Sequence, residues 1–147
     1  MNAANALGFT EFTVMYYDIE YSNPNDVSCR NAVLAFLDGW TLTLHNNTRV
    51  SGAYTSAAGG INYWATIANV PDQIWFANYD GRTTVWFDPY INNSYWTGAQ
   101  RHHQYVGNST ETWGGYQIPI DRNCANGLLA GSNTWGTPSY PPNYAGC

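Results

Sequence analysis

Two carboxylates close an apolar run near the start of the chain. The run from Thr13 to Glu20 ends with Asp18 and Glu20, which are two positions apart. On a β-strand this spacing places both side chains on one face, with Cα atoms about 7 Å apart, and Ile19 on the other. Two acids on one pocket wall raise the pKa of at least one of them, which provides an acid still protonated near neutral pH. The pattern predicts general acid catalysis; capping a helix or pairing with an arginine is the alternative.

The composition argues against several classes of partner. The 147 residues carry a formal net charge of −5, with five arginines and no lysine. Nucleic acids and anionic membranes bind concentrated positive charge, and no segment has the apolar length of a membrane span, so we expect neither nucleic-acid binding nor membrane insertion. Aromatic residues, at 16%, outnumber charged residues, at 10%. Aromatic rings stack on the C–H faces of sugars, which predicts a glycan partner unless most of these rings are in the core.

The elements that must position the acids alternate between strand and helix. We predict strands over 13–20, 50–56 and 73–79, a helix over 27–45, a short helix over 61–68, and strands over 100–106 and 116–121 separated by a polar loop. This alternation predicts a parallel α/β sheet with the site at its carboxyl edge. Residues 1–9 are typical of the end of a helix and not of a secretory signal. Residues 1–127 are therefore predicted to form one domain, and the Pro/Gly-rich residues 128–147 an irregular tail.

Aromatic and amide side chains near the ends of these strands are candidates for sugar binding. A ring can stack on a sugar while its hydroxyl or indole N–H bonds to a sugar hydroxyl, and an amide can do the latter. For each candidate the alternative is packing in the core. The candidates are Tyr54, Trp75, Tyr79 and Gln104.

The histidines and cysteines indicate little chemistry of their own. His102 and His103 are adjacent, and adjacent residues on a strand point to opposite faces, so we expect no metal site. Nothing in the sequence indicates a cofactor. The three cysteines allow at most one intrachain disulfide, and Cys29–Cys124 is one possibility.

Six short motifs occur in one order along the chain. They are Tyr16-Tyr17-Asp18-Ile19-Glu20, Ala35-Phe36-Leu37-Asp38-Gly39-Trp40, Gly52-Ala53-Tyr54-Thr55-Ser56, Gln73-Ile74-Trp75-Phe76-Ala77, His103-Gln104-Tyr105 and Ile120-Asp121-Arg122-Asn123. As a set they resemble the Rv2525c-like glycoside hydrolase-like domain of secreted actinobacterial proteins, which is similar to the lysozyme-like family 25 glycoside hydrolases. The resemblance covers nearly the whole chain up to about residue 123.

The resemblance implies a TIM-type (β/α)8 barrel of which this chain supplies the fourth to eighth strands, as an N-terminally truncated barrel. In the related hydrolases an Asp-x-Glu pair closes the fourth strand and an aspartate closes the eighth. Asp18, Glu20 and Asp121 match these positions. A further aspartate of the first strand has no counterpart here, and an N-terminal half or a second copy would complete the barrel. A secreted or cell-envelope location is implied as well.

These matches lead to the hypothesis of a glycosidase that acts on cell-wall peptidoglycan or a related polysaccharide. Glu20 would be the general acid that protonates the leaving oxygen, its pKa raised by Asp18 and by partial burial. Asp18 would be a nucleophile, a base for water, or the group that orients a substrate N-acetyl; we favour the last. Asp121 would bind sugar hydroxyls or hold the pair in register, unless it pairs with Arg101 or Arg122. The alternative functions are a non-catalytic carbohydrate-binding domain and an inactive barrel fragment.

Overall fold

The computed structural model describes residues 2–127. The predicted tail, 128–147, lies outside the described residues. Among the helices of residues 2–127, none has both the length and the apolar character needed to cross a bilayer. The elements in chain order are α1 (Asn2–Ala6), β1 (Val14–Asp18), α2 (Val27–His45), β2 (Val50–Ser56), a 3-10 turn (Ala57–Gly59), α3 (Ile61–Trp64), β3 (Gln73–Ala77), β4 (Arg101–Trp113) and β5 (Tyr116–Asn126).

The five strands form one curled sheet in the order β1-β2-β3-β4-β5, which gives a mixed α/β half-barrel. β1 to β4 are parallel, as the alternation of strand and helix predicts. The prediction of β2 over 50–56 is confirmed, and so is that of α2 over 27–45. Helix α2 begins where the Asp26 carboxylate accepts a hydrogen bond from the Cys29 N–H at 3.1 Å, which caps the first turn.

The hydrophobic core lies between one face of the sheet and the helices. Its buried members include Leu37, Ala53, Ile61, Trp64, Ile74 and Phe76. Because successive strand residues point to opposite faces, burying Ala53 and Ile74 turns Tyr54 and Trp75 to the other face. The helices leave that face uncovered, so it is where a ligand has access.

The last two strands correct the prediction of an all-parallel sheet. β4 and β5 are antiparallel and are joined by a two-residue turn at Gly114 and Gly115, whose φ angles are 57° and 87°. Two successive residues with positive φ define the type I′ turn that suits a hairpin, and glycine adopts that conformation without steric cost. The predicted polar loop between these strands is therefore wrong, because most of it continues β4 as far as Trp113.

The long connection between β3 and β4 is anchored by a buried arginine. Arg101 is fully buried and donates to the carbonyl oxygens of Asn92, at 2.8 Å, and Val85, at 3.2 Å. Its guanidinium lies 4.2 Å from the ring centroid of Trp86. Burial lowers the pKa of Arg101 to about 10, so the cation persists at neutral pH. The connection therefore packs against β4 although it contains no helix or strand.

The possible Cys29–Cys124 disulfide is not formed. Cys29 is a free thiol in the first turn of α2. Cys124 is buried in β5 and is disulfide-bonded, but not to Cys29.

Two leucines of α2 test this account of the core. Leu37 is fully buried and Leu42 is 46% exposed. We expect Leu37→Ala to lower the free energy of unfolding by about 2–5 kcal/mol, because it leaves a cavity, and Leu42→Ala to change it by less than about 0.5 kcal/mol. Urea unfolding followed by tryptophan fluorescence measures both. Equal losses from the two substitutions would contradict the assignment of the helix faces.

Candidate active site

A cleft of about 270 Å³ opens on the face of the sheet that the helices leave uncovered. It lies toward the carboxyl ends of the parallel strands, and all five strands contribute to it. The lining residues are Tyr16, Asp18, Glu20, Tyr54, Trp75, Gln104 and Asp121. The structure thus brings together the three acids selected from the sequence and three of the four candidates for sugar binding.

Glu20 reaches the cleft by a turn and not by continuing the strand. β1 ends at Asp18, and Glu20 has a φ of 57°, a left-handed conformation that is uncommon for residues other than glycine. The Glu20 N–H donates to Asp18 Oδ1 at 3.0 Å, and the Glu20 carbonyl accepts from the Thr55 hydroxyl and the Ser56 N–H. The prediction that both acids lie on one strand face is wrong for Glu20. Its expected partial burial is wrong as well, because the side chain is exposed.

Asp121 is held from two sides at the opposite wall of the cleft. Its Oδ2 accepts from Gln104 Nε2 at 2.9 Å and its Oδ1 accepts from the Asn108 N–H at 2.8 Å. It lies inside the antiparallel β5, and not at the carboxyl end of a parallel strand as predicted. The alternative of an ion pair with a neighbouring arginine is not realised, because Arg122 binds Glu111 at 3.0 Å instead.

Gln104 connects the tyrosines to Asp121. Its Oε1 accepts from the Tyr54 hydroxyl at 2.9 Å and from the Tyr79 hydroxyl at 3.2 Å, while its Nε2 donates to Asp121. Tyr79 is not among the residues that line the cleft and is 63% exposed, so it joins the site only through this bond. The buried amide therefore fixes the relative positions of three side chains.

The surroundings of Tyr54 in the cleft change the pKa of its hydroxyl. The pKa of Tyr54 is raised from 10.0 to about 12, mainly by burial and in addition by the nearby Tyr79, Glu20, Asp18 and Asp121. All three carboxylates of the cleft thus disfavour the loss of a proton from this one hydroxyl. At neutral pH Tyr54 remains a hydroxyl and can donate a hydrogen bond.

Aromatic rings form the floor between the two acidic walls. Trp75 packs edge-on against Tyr54, with ring centroids 5.1 Å apart, and against Tyr16, at 5.9 Å. Its Nε1 donates to Asn123 Oδ1 at 2.8 Å. The ring of Tyr16 lies directly over Gly52 of the neighbouring strand, where a Cβ atom would be 2.5 Å from Tyr16 Cδ1. Glycine at this position is what allows the ring to reach Trp75.

Comparison with known families assigns the chain to a family. The chain matches the family described as Rv2525c-like, glycoside hydrolase-like domain, over residues 1–125. The protein belongs to this family. The matched region contains the whole cleft and the complete strands β1 to β4. No curated protein matches the chain, and no solved structure does.

Two residues of the site in this glycoside hydrolase-like domain were not selected from the sequence. Tyr16 lines the cleft and Asn123 holds the indole of Trp75. Each lies two positions from a selected acid, Asp18 or Asp121, on the same strand. Period-two alternation places residues i and i±2 on one face, so this signal was present in the sequence.

The two adjacent histidines point to opposite faces of β4, as expected. The ring of His102 lies 5.9 Å from that of Tyr16, on the cleft side. His103 stacks on Phe76 of the core, with ring centroids 4.6 Å apart. They therefore cannot bind one metal ion together.

A cluster of His103, Asp80 and Asp88 has oxygen and nitrogen atoms within 4.8 Å of one another. Both ring nitrogens of His103 already contact carbonyl oxygens, those of Thr84 at 2.6 Å and Asn78 at 2.8 Å. The two carboxylates accept hydrogen bonds from protein N–H groups as well. The protein's own groups thus surround these atoms, and their contacts fasten the connection after β3 to β4.

The contact between Tyr16 and Gly52 gives a testable pair of substitutions. Gly52→Ala should lower the free energy of unfolding by about 1–3 kcal/mol, because the new methyl displaces the Tyr16 ring. Gly39→Ala is the control, since a Cβ atom there meets nothing within 4 Å; in the interior of α2 it should stabilise by up to about 1 kcal/mol. Urea unfolding measures both. A stabilising Gly52→Ala would show that the ring does not lie over the glycine.

The raised pKa of Tyr54 predicts a loss of stability in alkali. The folded-state pKa is about 12 and the ordinary value is 10.0, so the folded protein binds the proton more tightly. The stabilising contribution is complete below pH 10 and is lost as pH rises toward about 12. We expect the unfolding free energy of Tyr54→Phe to fall less steeply over this interval than that of the wild type. Urea unfolding at several pH values measures both proteins. Parallel pH profiles for the wild type and Tyr54→Phe would contradict this contribution of Tyr54.

Proposed function

We propose that this glycoside hydrolase-like domain cleaves cell-wall peptidoglycan or a related polysaccharide, with Glu20 as the general acid. One observation carries the proposal: three carboxylates and a floor of aromatic rings meet in a single cleft. Carboxylates supply the acid and the stabilising charge that hydrolysis of a glycosidic bond requires. Aromatic rings supply flat apolar surface for the sugar.

The hydrogen bonds of the three acids support a division of roles. Asp121 has both carboxylate oxygens engaged and Asp18 has one, whereas the Glu20 carboxylate makes no hydrogen bond to any residue in 2–127. A general acid must reach the glycosidic oxygen with the oxygen that carries its proton. Glu20 is the acid that meets this requirement, and Asp121 is a positioning residue that holds Gln104.

Asp18 is proposed to orient the substrate. Its Oδ1 is fixed by the Glu20 N–H, and its Oδ2 is not hydrogen-bonded within the described part of the chain. In the substrate-assisted route, a carboxylate oxygen accepts the N–H of the sugar's N-acetyl group. The acetamido oxygen then attacks the anomeric carbon while Glu20 protonates the departing oxygen. Water opens the resulting ring and returns a proton to Glu20.

The sugar is proposed to lie on Trp75 and Tyr54. The Trp75 indole is held by Asn123 and the Tyr54 hydroxyl by Gln104, so both side chains have fixed orientations before a ligand arrives. Fixed binding groups lose little conformational entropy on binding. Gln104 and Tyr79 would then offer hydrogen bonds to sugar hydroxyls at the edge of the cleft.

The proposal includes a (β/α)8 barrel of which this sheet is a part. Four parallel strands with helices on one face, and a site toward their carboxyl ends, support it; the antiparallel β5 departs from that pattern. β1 is an edge of the sheet within residues 2–127, and Tyr17 and Phe36 beside it are 41% and 43% exposed. An N-terminal half or a second copy would cover this edge. A cell-wall substrate would place the activity in the cell envelope or outside the cell.

Glu20→Gln tests the proposed acid. Wild-type protein should release reducing sugar from purified peptidoglycan, with α- and β-glucans as comparison substrates. Glu20→Gln should reduce the rate by about 100-fold or more, because an amide cannot donate a proton to the leaving oxygen. Glu11→Gln is the matched control, since Glu11 is an exposed acid outside the cleft. Equal rates for wild type and Glu20→Gln would overturn the assignment.

Carbohydrate binding without turnover is the second candidate function. The exposure of Glu20 favours it, because an acid in water lacks the burial that keeps many catalytic carboxyls protonated. A binding domain would release no sugar, would be retained on the polysaccharide after Glu20→Gln, and would lose retention after Trp75→Ala. Sedimentation with insoluble peptidoglycan, together with the reducing-sugar assay, separates the two functions.

A further inference from the structure

The walls of the cleft carry negative charge without a cation among them. Three of the seven lining residues are acids, Asp18, Glu20 and Asp121, and none is an arginine, a lysine or a histidine. The acids come from the two outer strands of the sheet, so they lie on opposite sides of the aromatic floor. A ligand that rests on this floor is therefore close to carboxylates on both sides.

The arginines of the chain are all engaged away from the cleft. Each of the five bonds to a group that does not line it. The partners are the Pro24 carbonyl for Arg30, Asn5 and the Phe9 carbonyl for Arg49, Asp80 for Arg82, the Val85 and Asn92 carbonyls for Arg101, and Glu111 for Arg122. The chain has no lysine, and residues 128–147 contain neither charged side chains nor histidine. No arginine or lysine of this sequence therefore neutralises the acids of the cleft.

The histidines do not supply the missing positive charge either. His45 bonds to Asp72 at 2.8 Å, and His103 lies on the core side of the sheet. His102 is on the cleft side, but it is buried beside Tyr16 and is not among the lining residues. The charge of the cleft is thus set by its three carboxylates.

The cleft carboxylates are too far apart to share one metal ion. Among residues 2–127, the group of three or more whose ligand atoms lie within 4.8 Å of one another is Asp80, Asp88 and His103. A calcium or magnesium ion needs its oxygen ligands much closer together than the walls of the cleft are. Acids spread around an aromatic floor suit a ligand as large as a sugar ring better than a single ion.

Tyr54 shows how the cleft affects a negative charge placed inside it. Its pKa is raised mainly by burial and in addition by the nearby Tyr79, Glu20, Asp18 and Asp121. Loss of the proton would create an anion, the phenolate, between the walls, and both burial and the carboxylates oppose it. A carboxylate on a bound sugar would be an anion in the same space and would be disfavoured for the same reasons.

We infer that the cleft selects its glycan by charge and favours uncharged sugars over sugars that carry a carboxylate. This inference rests on the proposed function and deepens it, because it names the charge of the substrate. In peptidoglycan the lactyl group of muramic acid is a carboxylate where the stem peptide has been removed and an amide where the peptide is attached. The sugars that the cleft holds are therefore N-acetylglucosamine, or muramic acid whose lactyl group is an amide.

The size of the preference follows from the exposure of the acids. Asp18, Glu20 and Asp121 are all exposed, so water and salt weaken their repulsion of an anion. For exposed unit charges a few ångströms apart, we expect the preference to be about tenfold at low salt. Screening acts over about 30 Å at 0.01 M salt and over about 3 Å at 1 M, so high salt should remove most of the preference.

The experiment uses two forms of one polymer that differ in charge. Peptidoglycan glycan strands freed of their peptides carry lactyl carboxylates, and coupling these carboxylates to ammonia converts them to neutral amides. The full chain carries Glu20→Gln, so that neither polymer is cleaved, and isothermal titration calorimetry measures both affinities. We expect the amide strands to bind about tenfold more tightly at about 0.01 M salt, and the difference to shrink to about twofold or less at about 1 M.

Asp18→Asn, added to Glu20→Gln, tests whether the carboxylates cause the preference. Asparagine has nearly the shape of aspartate, and its amide oxygen can still accept the backbone N–H of residue 20. The preference at low salt should fall to about threefold or less, because one of the two remaining charges is gone. Glu11→Gln in the same background is the matched control, since Glu11 is an exposed acid outside the cleft, and it should leave the preference unchanged.

Three results would overturn the inference. Equal affinities for the two polymers at low salt would reject selection by charge and leave the proposed function intact, since reducing-sugar release by the wild type tests that separately. A preference that persists at about 1 M salt, or undiminished in the Asp18→Asn variant, would show that the amide group itself is recognised. Failure of both polymers to bind would reject the inference and, if the wild type also releases no sugar, the proposed function as well.

Discussion

The structure depends on burying one face of a parallel sheet under helices. Ala53, Ile74 and Phe76 are fully buried on that face, against Leu37 and Trp64 of the helices. Strand alternation then requires the intervening residues to point to the opposite, uncovered face. The hydrophobic effect thus decides which face of the sheet carries the cleft. A shift of one residue in strand register would exchange the two faces.

Polar bonds then fix the shape of the cleft. Gln104 is buried and receives two tyrosine hydroxyls while it donates to Asp121, and Glu20 is held by the end of β2 and by Asp18. Leaving the polar groups of a buried amide without hydrogen bonds costs free energy. The folded state therefore keeps the partners of Gln104 close to it. The result is a cleft in which Tyr54, Gln104 and Asp121 hold one another, while the Glu20 carboxylate makes no hydrogen bond to any residue in 2–127.

Local sequence patterns predicted the elements that depend on interactions between residues close together in the sequence. The helical period of Val33, Phe36, Leu37 and Trp40 predicted α2, and the segment 50–56, followed by the Gly59-Gly60 break, predicted β2. The hairpin was missed although Gly114-Gly115 is a known turn signal, because the polar residues before it were interpreted as a loop. Alternation alone also favoured a parallel last strand. Strand direction depends on the turn that precedes it, and here that turn is two residues long.

The sequence by itself determined the family, the polar and aromatic character of the site and most of the residues that line it, because strand alternation and motif order are properties of the chain. Only the tertiary structure decided how each acid is held. Glu20 lies in a left-handed turn anchored by Thr55 and Ser56, and Asp121 binds Gln104 and not an arginine. These contacts join residues far apart in sequence. Their geometry follows from how the strands pair and pack, which no local pattern contains.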